Sequence, residues 1–364
     1  MKFKVIRSKF LEGLKKVQGI VASKGSLQII QNVLLEAKEG KLFMTTTDLD
    51  ISIRSVVPCE IENEGSTTLP VKLLFSTISK VAEGQVLVDV DAQDKALITA
   101  GSATFKLSGM NVVDFPALPE DAESFAYSID QIILKEMFRK TFYAASQDET
   151  RKTLKGVLLS FKEGKLTMVA TDGRRLALVE HEVEFPAAAE KDIVLPSKVV
   201  SEVMRALSTD GEAKITFEKS QVSFNLGDTQ LYSKLLDEVY PNFRQVIPSN
   251  CNEHVVVDRE MLLSAIDRVS VMTKDETNSI RLVFDQNELT VLSSAAELGE
   301  ARDIVPIKYN GPKIEIVFNP GFVMDPLKAI DEDDITIDLA SGTSPALMKC
   351  SVPFLYVMMP LRTN

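Results

Sequence analysis

The sequence predicts an α+β protein made of three consecutive copies of one unit, each with two helices and several antiparallel strands. Three observations support this prediction: a hairpin-like segment recurs about every 124 residues, helical periodicity flanks each copy, and a Pro closes each unit. A chain of 364 residues is long enough for two or three domains. Polar, turn-rich segments divide it, and we predict domains at 1–124, 125–250 and 251–364.

The recurring segment consists of two alternating apolar and polar runs around a polar turn, which is the pattern of a β-hairpin. It spans residues 32–42 and returns at 156–166, with the turn letters Lys-Glu-Gly-Lys in both copies. A fainter copy lies at 280–289. Each unit is therefore predicted to contain a hairpin at the same place.

Helical spacing of apolar residues precedes each hairpin, and a second, shorter helix follows it. The shorter helices begin at Leu69-Pro70, Leu195-Pro196 and Asn319-Pro320, because Pro is tolerated at a helix start. The predicted helices are residues 7–24, 71–83, 130–146, 197–207, 258–274 and 320–330.

The composition is that of a soluble globular protein, with 45% hydrophobic and 26% charged residues. No apolar run approaches the roughly 18 to 20 residues that a membrane span needs, and the N-terminus lacks a secretory apolar segment. We therefore expect a cytoplasmic protein with no membrane contact.

Neither the cysteines nor the histidines form a pattern typical of a metal site. Cys59, Cys251 and Cys350 lie far apart, and His181 and His254 have no His or Cys at ligand spacing. Reduced, mostly buried thiols are predicted, with no disulfide framework, no metal and no cofactor.

Catalytic and phosphate-binding motifs are missing, including the P-loop, Gly-x-Gly-x-x-Gly, His-Glu-x-x-His and Gly-x-Ser-x-Gly. Carboxylates do cluster at Asp48, Asp50 and Asp172, so a metal-dependent hydrolase is an alternative function. However, Asp48 and Asp172 occupy equivalent places in the repeat, and the third copy has Ala295 there. This favours a structural role in strand-end turns, and we predict no catalytic residue.

Charge is distributed unevenly between the predicted helices and the rest of the chain. The net charge is −11, yet the six predicted helices carry +7, which leaves −18 for the remaining residues. Lysine and arginine are good helix formers, so solvated helical faces explain the count as well as helices that face one polyanion. Both interpretations stay open on charge alone.

Two further segments are distinctive, one near the middle of the chain and one at its C-terminus. Residues 169–177 have the pattern of a strand, an Asp-Gly turn and a second strand. Residues 356–364 are unusually apolar for a chain terminus, and their methionines and Pro360 suit either an adaptable groove or a core strand.

Together these features resemble the bacterial sliding clamp family, the β subunit of the replicative DNA polymerase III holoenzyme. The family's segments occur in order along the whole chain, at Met1-Lys2-Phe3, 46–50, Asp114-Phe115-Pro116, 170–177, 240–244 and 359–362. The resemblance implies three repeated DNA-clamp domains per chain, assembled head-to-tail as a homodimer into a six-domain ring. It implies a non-catalytic processivity factor that encircles double-stranded DNA without sequence preference. A ring-like scaffold that does not encircle nucleic acid is the remaining alternative.

In such a ring the helices line the hole, where flexible cations make weak, exchangeable contacts with phosphates. The resemblance places Lys24 and Gln147 near the DNA path. Helix position and charge add Lys9, Lys15, Lys72, Arg139, Lys140, Lys198 and Arg205 as DNA-facing residues.

Partner proteins of the family insert a short peptide, with a Gln and Leu or Phe anchors, into a groove between the second and third domains. The resemblance implies as users the polymerase α subunit, the clamp loader, mismatch repair proteins, DNA ligase and translesion polymerases, at replication forks on the nucleoid. Carried over by position, the groove is lined by Arg151, Leu154, Thr171, Gly173, Arg174, Arg175, Leu176, Pro241, Val246, Val357, Met359, Pro360, Leu361 and Arg362.

The resemblance also implies where two copies meet. The edge strand of the first domain would join the third domain of the other subunit, with Phe105 and Leu107 packed against Val271 and Met272.

The chain departs from the family pattern at the rim of the groove and at the terminus. Arg174 stands where His is frequent, and Gln245 stands where Arg is common. The usual short terminus is extended by Thr363-Asn364. These departures affect peptide preference rather than the fold.

Overall fold

Each repeat begins with a strand that leads directly into a helix, continues through a meander of strands, and ends with further strands after a second helix. The computed structural model describes residues 1–21, 27–118, 125–218, 220–236, 238–273, 279–295, 299–351 and 353–362. The first repeat contains β1 (Lys2–Ile6), α1 (Arg7–Val17), β2 (Asn32–Lys38), β3 (Lys41–Thr47), β4 (Ile51–Pro58), β5 (Glu60–Asn63), β6 (Gly65–Pro70), α2 (Val71–Lys80), β7 (Gln85–Val90), β8 (Lys95–Ala100) and β9 (Ala103–Ser108). The second contains β10 (Ala126–Asp130), α3 (Gln131–Thr141), β11 (Gly156–Lys162), β12 (Lys165–Thr171), β13 (Arg175–Glu182), β14 (Lys191–Pro196), α4 (Ser197–Ala206), β15 (Glu212–Glu218), β16 (Gln221–Asn225) and β17 (Thr229–Lys234). The third contains β18 (Glu253–Asp258), α5 (Arg259–Ser270), β19 (Ile280–Asp285), β20 (Glu288–Ala295), β21 (Gly299–Lys308), β22 (Ile314–Phe318), α6 (Pro320–Ala329), β23 (Asp334–Leu339), β24 (Ala346–Lys349) and β25 (Phe354–Met358).

All three predicted hairpins are confirmed, as β2–β3, β11–β12 and β19–β20. In the first two, the turn residues Glu39-Gly40 and Glu163-Gly164 all have positive φ, between 53° and 70°. Two residues with positive φ twist a hairpin in the sense that its strands require, and Gly adopts such a φ without strain. The repeated Glu-Gly letters therefore explain the repeated turn.

The predicted helices are confirmed in position, but all six end earlier than predicted, and the first and third differ most. α1 ends at Val17 instead of residue 24, and the 3-10 turn Gln18–Ile20 follows it. Gly19 disfavours an α-helix here, and the tighter turn keeps Ile20 buried. α3 ends at Thr141, whose hydroxyl donates to the backbone of its own helix at 2.8 Å.

Packing divides the chain into two units that do not coincide with the three repeats. Unit 1 comprises residues 1–135 and 201–235, and unit 2 comprises residues 136–200 and 236–364. Each unit therefore contains part of the second repeat. The domain boundaries predicted from the sequence follow the repeat, whereas these units follow strand pairing, which continues from one repeat into the next.

Unit 1 contains a five-stranded sheet, in the order β5-β1-β7-β8-β9, and an eight-stranded sheet, in the order β10-β15-β16-β17-β4-β3-β2-β6. β17 of the second repeat pairs with β4 of the first, with Leu231 opposite Ile53. The helices contribute fully buried residues to the core, including Leu14 of α1 and Leu74 of α2. Backbone pairing thus joins two repeats into one sheet.

Unit 2 contains a single twelve-stranded sheet, in the order β14-β11-β12-β13-β25-β24-β23-β18-β21-β20-β19-β22. β25 of the third repeat pairs with β13 of the second, with Leu176 opposite Val357. Leu262 of α5 and Leu327 of α6 are fully buried. The junction between the two repeats is the place where the candidate site lies.

Candidate functional site

The turn between β12 and β13 is built by two side chains that satisfy the backbone. The Asp172 carboxylate accepts from the backbone N–H groups of Arg174 at 2.9 Å and Arg175 at 3.0 Å. The Thr171 hydroxyl accepts from the Gly173 N–H at 3.0 Å and donates to the Arg175 carbonyl. Asp172 is therefore a turn-capping residue, as the equivalent Asp48 suggested.

The first repeat has the same turn with the same bonds. The Asp48 carboxylate accepts from the Asp50 N–H at 3.0 Å and the Ile51 N–H at 2.7 Å. Leu49 has a φ of 79°, close to the 84° of Gly173 in the second repeat. These bonds support the structural role predicted for Asp48 and Asp172 over the hydrolase alternative.

An apolar floor lies beside the turn of the second repeat. Leu176 and Val357 are directly opposite each other on β13 and β25, and both are buried. They belong to a cluster with Leu158, Val169, Leu178, Val194 and Leu347. The segment after β17 packs on this cluster through Leu236, Tyr240, Phe243 and Ile247.

The residues predicted to form the apolar walls of a groove remain accessible. Val246 is 53% exposed and Met359 is 42% exposed, while Leu154 is half-buried. The N–H of Met359 donates to the Arg174 carbonyl at 2.9 Å, so the turn and the C-terminal segment are held side by side. Apolar side chains that stay exposed around a buried apolar floor are typical of a ligand groove.

The remaining groove residues of the C-terminal segment and the linker are also at the surface. The N–H of Leu361 donates to the Val317 carbonyl at 2.8 Å, which fixes the terminus against β22. Pro241 and Arg362 are exposed, and Pro360 is half-buried. The sequence of residues 356–364 suited either a core strand or a groove. In the structure β25 is a core strand, and the residues that follow it lie at the surface.

Arg175 was predicted as a groove residue, but its side chain is directed into the protein and is only 11% exposed. Its guanidinium donates to the Asp172 carboxylate at 3.1 Å and to the Tyr143 carbonyl at 2.7 Å, and it also bonds Asp325. It lies 4.5 Å from the centroid of the Phe322 ring. The residue ties β13 to α6 and supports the turn from behind.

The groups around Arg175 were not found by sequence reasoning. Burial raises the pKa of the Tyr143 and Tyr356 phenols, so both stay neutral at physiological pH beside the guanidinium. Their rings lie 5.8 Å apart. No sequence motif signals Asp325, because it pairs with a strand about 150 residues away.

The two rim arginines are exposed. Arg151 donates to the Asp172 carbonyl at 3.1 Å, and its guanidinium would lie 3.2 Å from a Cβ placed on Gly173. Arg174 follows directly and is also exposed. The side of the groove that carries the turn is therefore positively charged.

The predicted DNA-facing residues fall into two groups. Those in the first group are exposed: Lys9, Lys15, Lys72, Gln147, Lys198 and Arg205. On α1 the exposed Lys9 forms an ion pair with Glu12 at 3.2 Å, and Lys15 is exposed on the same helix. Lys24 lies outside the described residues.

The second group is held by carboxylates. Arg139 bonds both Glu136 and Asp331, and this contact lowers the pKa of Asp331. Lys140 lies 3.8 Å from Glu332, with both side chains mostly buried. Neighbouring anions neutralise these two cations, so they offer less charge to a phosphate than the exposed lysines do.

The predicted interface residues differ in how much of their apolar side chain is still exposed and could be buried against a partner. Leu107 is only 4% exposed, so it is a core residue of its own sheet. Phe105, two residues earlier on the same face of β9, is half-buried, and Val271 after α5 is 74% exposed. Met272 is half-buried. Val271 therefore has the most apolar surface left for a partner, Phe105 and Met272 have some, and Leu107 has almost none.

Among the residues that the structure describes, no three His, Cys, Asp or Glu side chains lie close enough together to hold a metal ion. No described helix is long and apolar enough to cross a membrane.

Comparison with known proteins covers the whole chain. Family models of the DNA polymerase III beta subunit match residues 1–119 (N-terminal domain), 128–242 (central domain) and 244–362 (C-terminal domain). The chain is 33% identical to the beta sliding clamp of Chlamydia trachomatis over 364 residues, covering 100% of this chain and 88% of that protein. It is 32% identical to the beta sliding clamp of Pseudomonas aeruginosa over 367 residues, covering 100% of both.

Solved structures agree with these matches. A Pseudomonas aeruginosa sliding clamp bound to griselimycin superposes with a TM-score of 0.96 at 30% identity, over 100% of both chains. The DNA polymerase sliding clamp of Bacillus subtilis superposes with a TM-score of 0.96 at 27% identity, again over 100% of both chains. The chain belongs to the family of the DNA polymerase III beta subunit, the beta sliding clamps.

Proposed function

We propose that this protein is a DNA sliding clamp that makes the replicative polymerase processive, by encircling duplex DNA and holding partners in the groove of unit 2. The observation that carries the proposal is the apolar floor of Leu176 and Val357, which lies beside an accessible rim at the junction of two repeats. Members of this family are processivity factors and not enzymes. The protein therefore catalyses no reaction itself and acts by holding other proteins on DNA.

The groove suits a short peptide with apolar anchors. The buried floor can accept a leucine or aromatic side chain, and the absence of a side chain at Gly173 lets the peptide backbone approach. Arg151 and Arg174 attract acidic peptide residues. The polymerase α subunit, the clamp loader, mismatch repair proteins, DNA ligase and translesion polymerases would then compete for one site.

The exposed cationic side chains of the helices would contact the DNA. Lys9, Lys15, Lys72 and Lys198 have long side chains that can make weak contacts with phosphates, and Gln147 can add a neutral one. Contacts of this kind are independent of sequence and are exchanged easily, so they allow sliding. Lys9 and Arg205 contribute less because they pair with Glu12 at 3.2 Å and with Glu202 at 2.8 Å.

The clamp would be a head-to-tail homodimer. Three clamp domains per chain, 1–124, 125–250 and 251–364, give six domains in the ring. Phe105 of one copy would pack on Val271 and Met272 of the other, with Leu107 supporting the strand from within its own sheet. The assembled protein would act in the cytoplasm, at replication forks on the nucleoid.

Retention on circular DNA tests the proposal. The protein is loaded by its clamp loader and ATP onto nicked circular DNA, and bound protein is measured before and after a restriction enzyme cuts the circle. A topological link predicts release from the linear product, and blocking both DNA ends should prevent that release. Retention on unblocked linear DNA would instead mean ordinary binding and would overturn the proposal.

A further inference from the structure

A buried ion-pair network supports the turn of residues 171–174 from inside the protein. One oxygen of the Asp172 carboxylate accepts from the backbone N–H groups of Arg174 and Arg175. The other oxygen accepts from the Arg175 guanidinium at 3.1 Å. Charge-assisted bonds of this kind are strong and directional. The guanidinium therefore fixes the rotation of the carboxylate and keeps its first oxygen on the backbone of the turn.

The Arg175 guanidinium is in turn oriented by groups outside its own strand. It bonds the Asp325 carboxylate of α6, and it donates to the Tyr143 carbonyl at 2.7 Å. Asp172 and Asp325 are thus two carboxylates bonded to one mostly buried cation. A buried charge that loses a bonded counterion is destabilised and has to find other partners. Asp325 therefore determines how strongly Arg175 pulls on Asp172.

The turn also fixes the position of one groove wall. The Arg174 carbonyl accepts from the N–H of Met359 at 2.9 Å, and the Met359 side chain is one of the accessible apolar residues of the groove. A displacement of the turn would therefore move the rim at Arg174 and the wall at Met359 together.

The equivalent turn of the first repeat forms without such an arginine. Ile51 occupies the place of Arg175 and is buried. Its backbone N–H donates to the Asp48 carboxylate at 2.7 Å, as the N–H of Arg175 does to Asp172. The turn itself does not require the guanidinium, so Arg175 serves the second repeat, which carries the groove.

The second helices of the repeats place a carboxylate at both junctions. Asp325 of α6 and Glu202 of α4 are each the sixth residue of a ten-residue helix. Glu202 lies against the first repeat, since a Cβ placed on Gly19 would be 2.6 Å from one of its carboxylate oxygens. It pairs with Arg205 of its own helix, whereas Asp325 bonds Arg175 of the preceding repeat. The same position in the repeat is therefore connected to a groove turn only through Asp325.

We propose that Asp325 is a positioning residue of the partner groove, which acts through Arg175 and Asp172 on the turn that carries Gly173 and Arg174. This rests on the proposed function of the groove and adds to it a residue of α6 that is not among the predicted groove residues. Removal of the Asp325 charge takes away one of the two carboxylates bonded to the buried guanidinium. The guanidinium then draws Asp172 away from the backbone N–H groups, and the rim shifts.

Peptide binding to the intact chain tests this role. The probe is a labelled peptide with Leu and Phe anchors, and its dissociation constant is measured by fluorescence anisotropy. Asp325→Ala should raise the constant by about tenfold, and Asp325→Asn, which keeps the size of the side chain, by about threefold. Glu202→Ala is the matched control, because it removes the equivalent carboxylate. It should lower the urea midpoint and leave the peptide affinity unchanged.

A double-mutant cycle separates an effect through the guanidinium from a general effect on α6. Arg175→Met keeps a long side chain without charge and should itself weaken the peptide by about tenfold. In that background Asp325→Asn should have no further effect. In the free protein, the amide resonance of Arg174 should shift in Asp325→Asn and stay in place in Glu202→Ala.

The outcomes distinguish this role from the groove itself. A wild-type chain that does not bind the peptide would overturn the proposed groove. Wild-type binding that neither Asp325 variant weakens would overturn the positioning role alone. The same holds for equal losses with and without Arg175, or for an Arg174 resonance that does not move. The isosteric Asp325→Asn variant decides the question if Asp325→Ala loses its fold.

Discussion

The turns that open β4 and β13 differ mainly in one residue. Both use an Asp carboxylate and a Thr hydroxyl to satisfy the same backbone groups, and both place the third residue at positive φ. That residue is Leu49 in the first repeat and Gly173 in the second. Leu49 shows that this backbone accepts a large side chain, at a cost in strain of about 1 to 2 kcal/mol. Gly173 is therefore explained better by access to the groove than by folding.

Gly173→Leu is expected to fold and to lose partner peptides. Unfolding in urea should show a loss of about 1 to 2 kcal/mol, because Leu is strained at a φ of 84°. Peptide affinity, measured by fluorescence anisotropy, should fall by about tenfold or more, because the new side chain occupies the approach to the floor. Gly164→Leu is the control, since Gly164 has a φ of 70° and open space around it. It should lose similar stability and keep full affinity, and equal loss of affinity in both variants would contradict this role of Gly173.

For individual residues, the sequence predicts which residue stands at a position better than it predicts the direction and burial of its side chain. The resemblance assigned Arg175 to a groove and Leu107 to an interface, but it could not tell that Arg175 is directed into the protein or that Leu107 is already buried. Orientation depends on partners such as Asp325, which are distant in sequence and carry no local signal. The exposure of a residue such as Val246 is easier to predict, because its side chain needs no packing partner elsewhere in the protein.

Among the elements, hairpins are predicted well and helix ends poorly. A hairpin has a local cause, the two-residue turn with positive φ, which the Glu-Gly letters display. The end of α1 has only a weak local sign in Gly19, because the apolar period continues past Val17 into the 3-10 turn. The pairing of β13 with β25 is also absent from local sequence, since it joins residues about 180 apart.

The C-terminal segment after β25 is expected to serve the groove more than the fold. Removing residues 360–364 deletes the bond between Leu361 and Val317 and removes part of the proposed groove wall, while β25 stays complete. The loss of stability should be about 1 kcal/mol, the value of one hydrogen bond. Peptide affinity should fall by about tenfold.

A shorter deletion provides the control for this truncation. Removing only Thr363 and Asn364 keeps Leu361 and Arg362, so peptide affinity should be unchanged. If the longer deletion also left affinity unchanged in anisotropy titrations, the segment would not be part of the groove.

The two strand pairings between repeats, β17 with β4 and β25 with β13, share the same backbone arrangement but carry different side chains. In unit 1 the outward positions carry polar groups: Arg54 bonds the Glu36 carboxylate at 2.7 Å, and Ser52 lies opposite Tyr232. In unit 2 the positions equivalent to Ser52 and Tyr232 carry Leu176 and Val357, and Leu178 stands at the position of Arg54. Hydrogen-bonded polar groups cannot receive an apolar anchor without losing partners, which costs about 1 to 3 kcal/mol for each buried group. We therefore expect the repeated backbone to present one apolar groove per chain.

Stoichiometry tests this conclusion directly. Titration of the protein with a peptide that carries Leu and Phe anchors should give one site per chain by calorimetry, and hence two per dimer. Leu176→Ser, which introduces the residue found at the equivalent place in unit 1, should abolish that site, and circular dichroism should show that the fold is retained. Ser52→Ala changes the other junction and should leave the count at one. A second site per chain in the wild type, or a full-affinity site that survives in Leu176→Ser, would mean that the junction of unit 1 also binds peptides and that side-chain polarity does not select between the two.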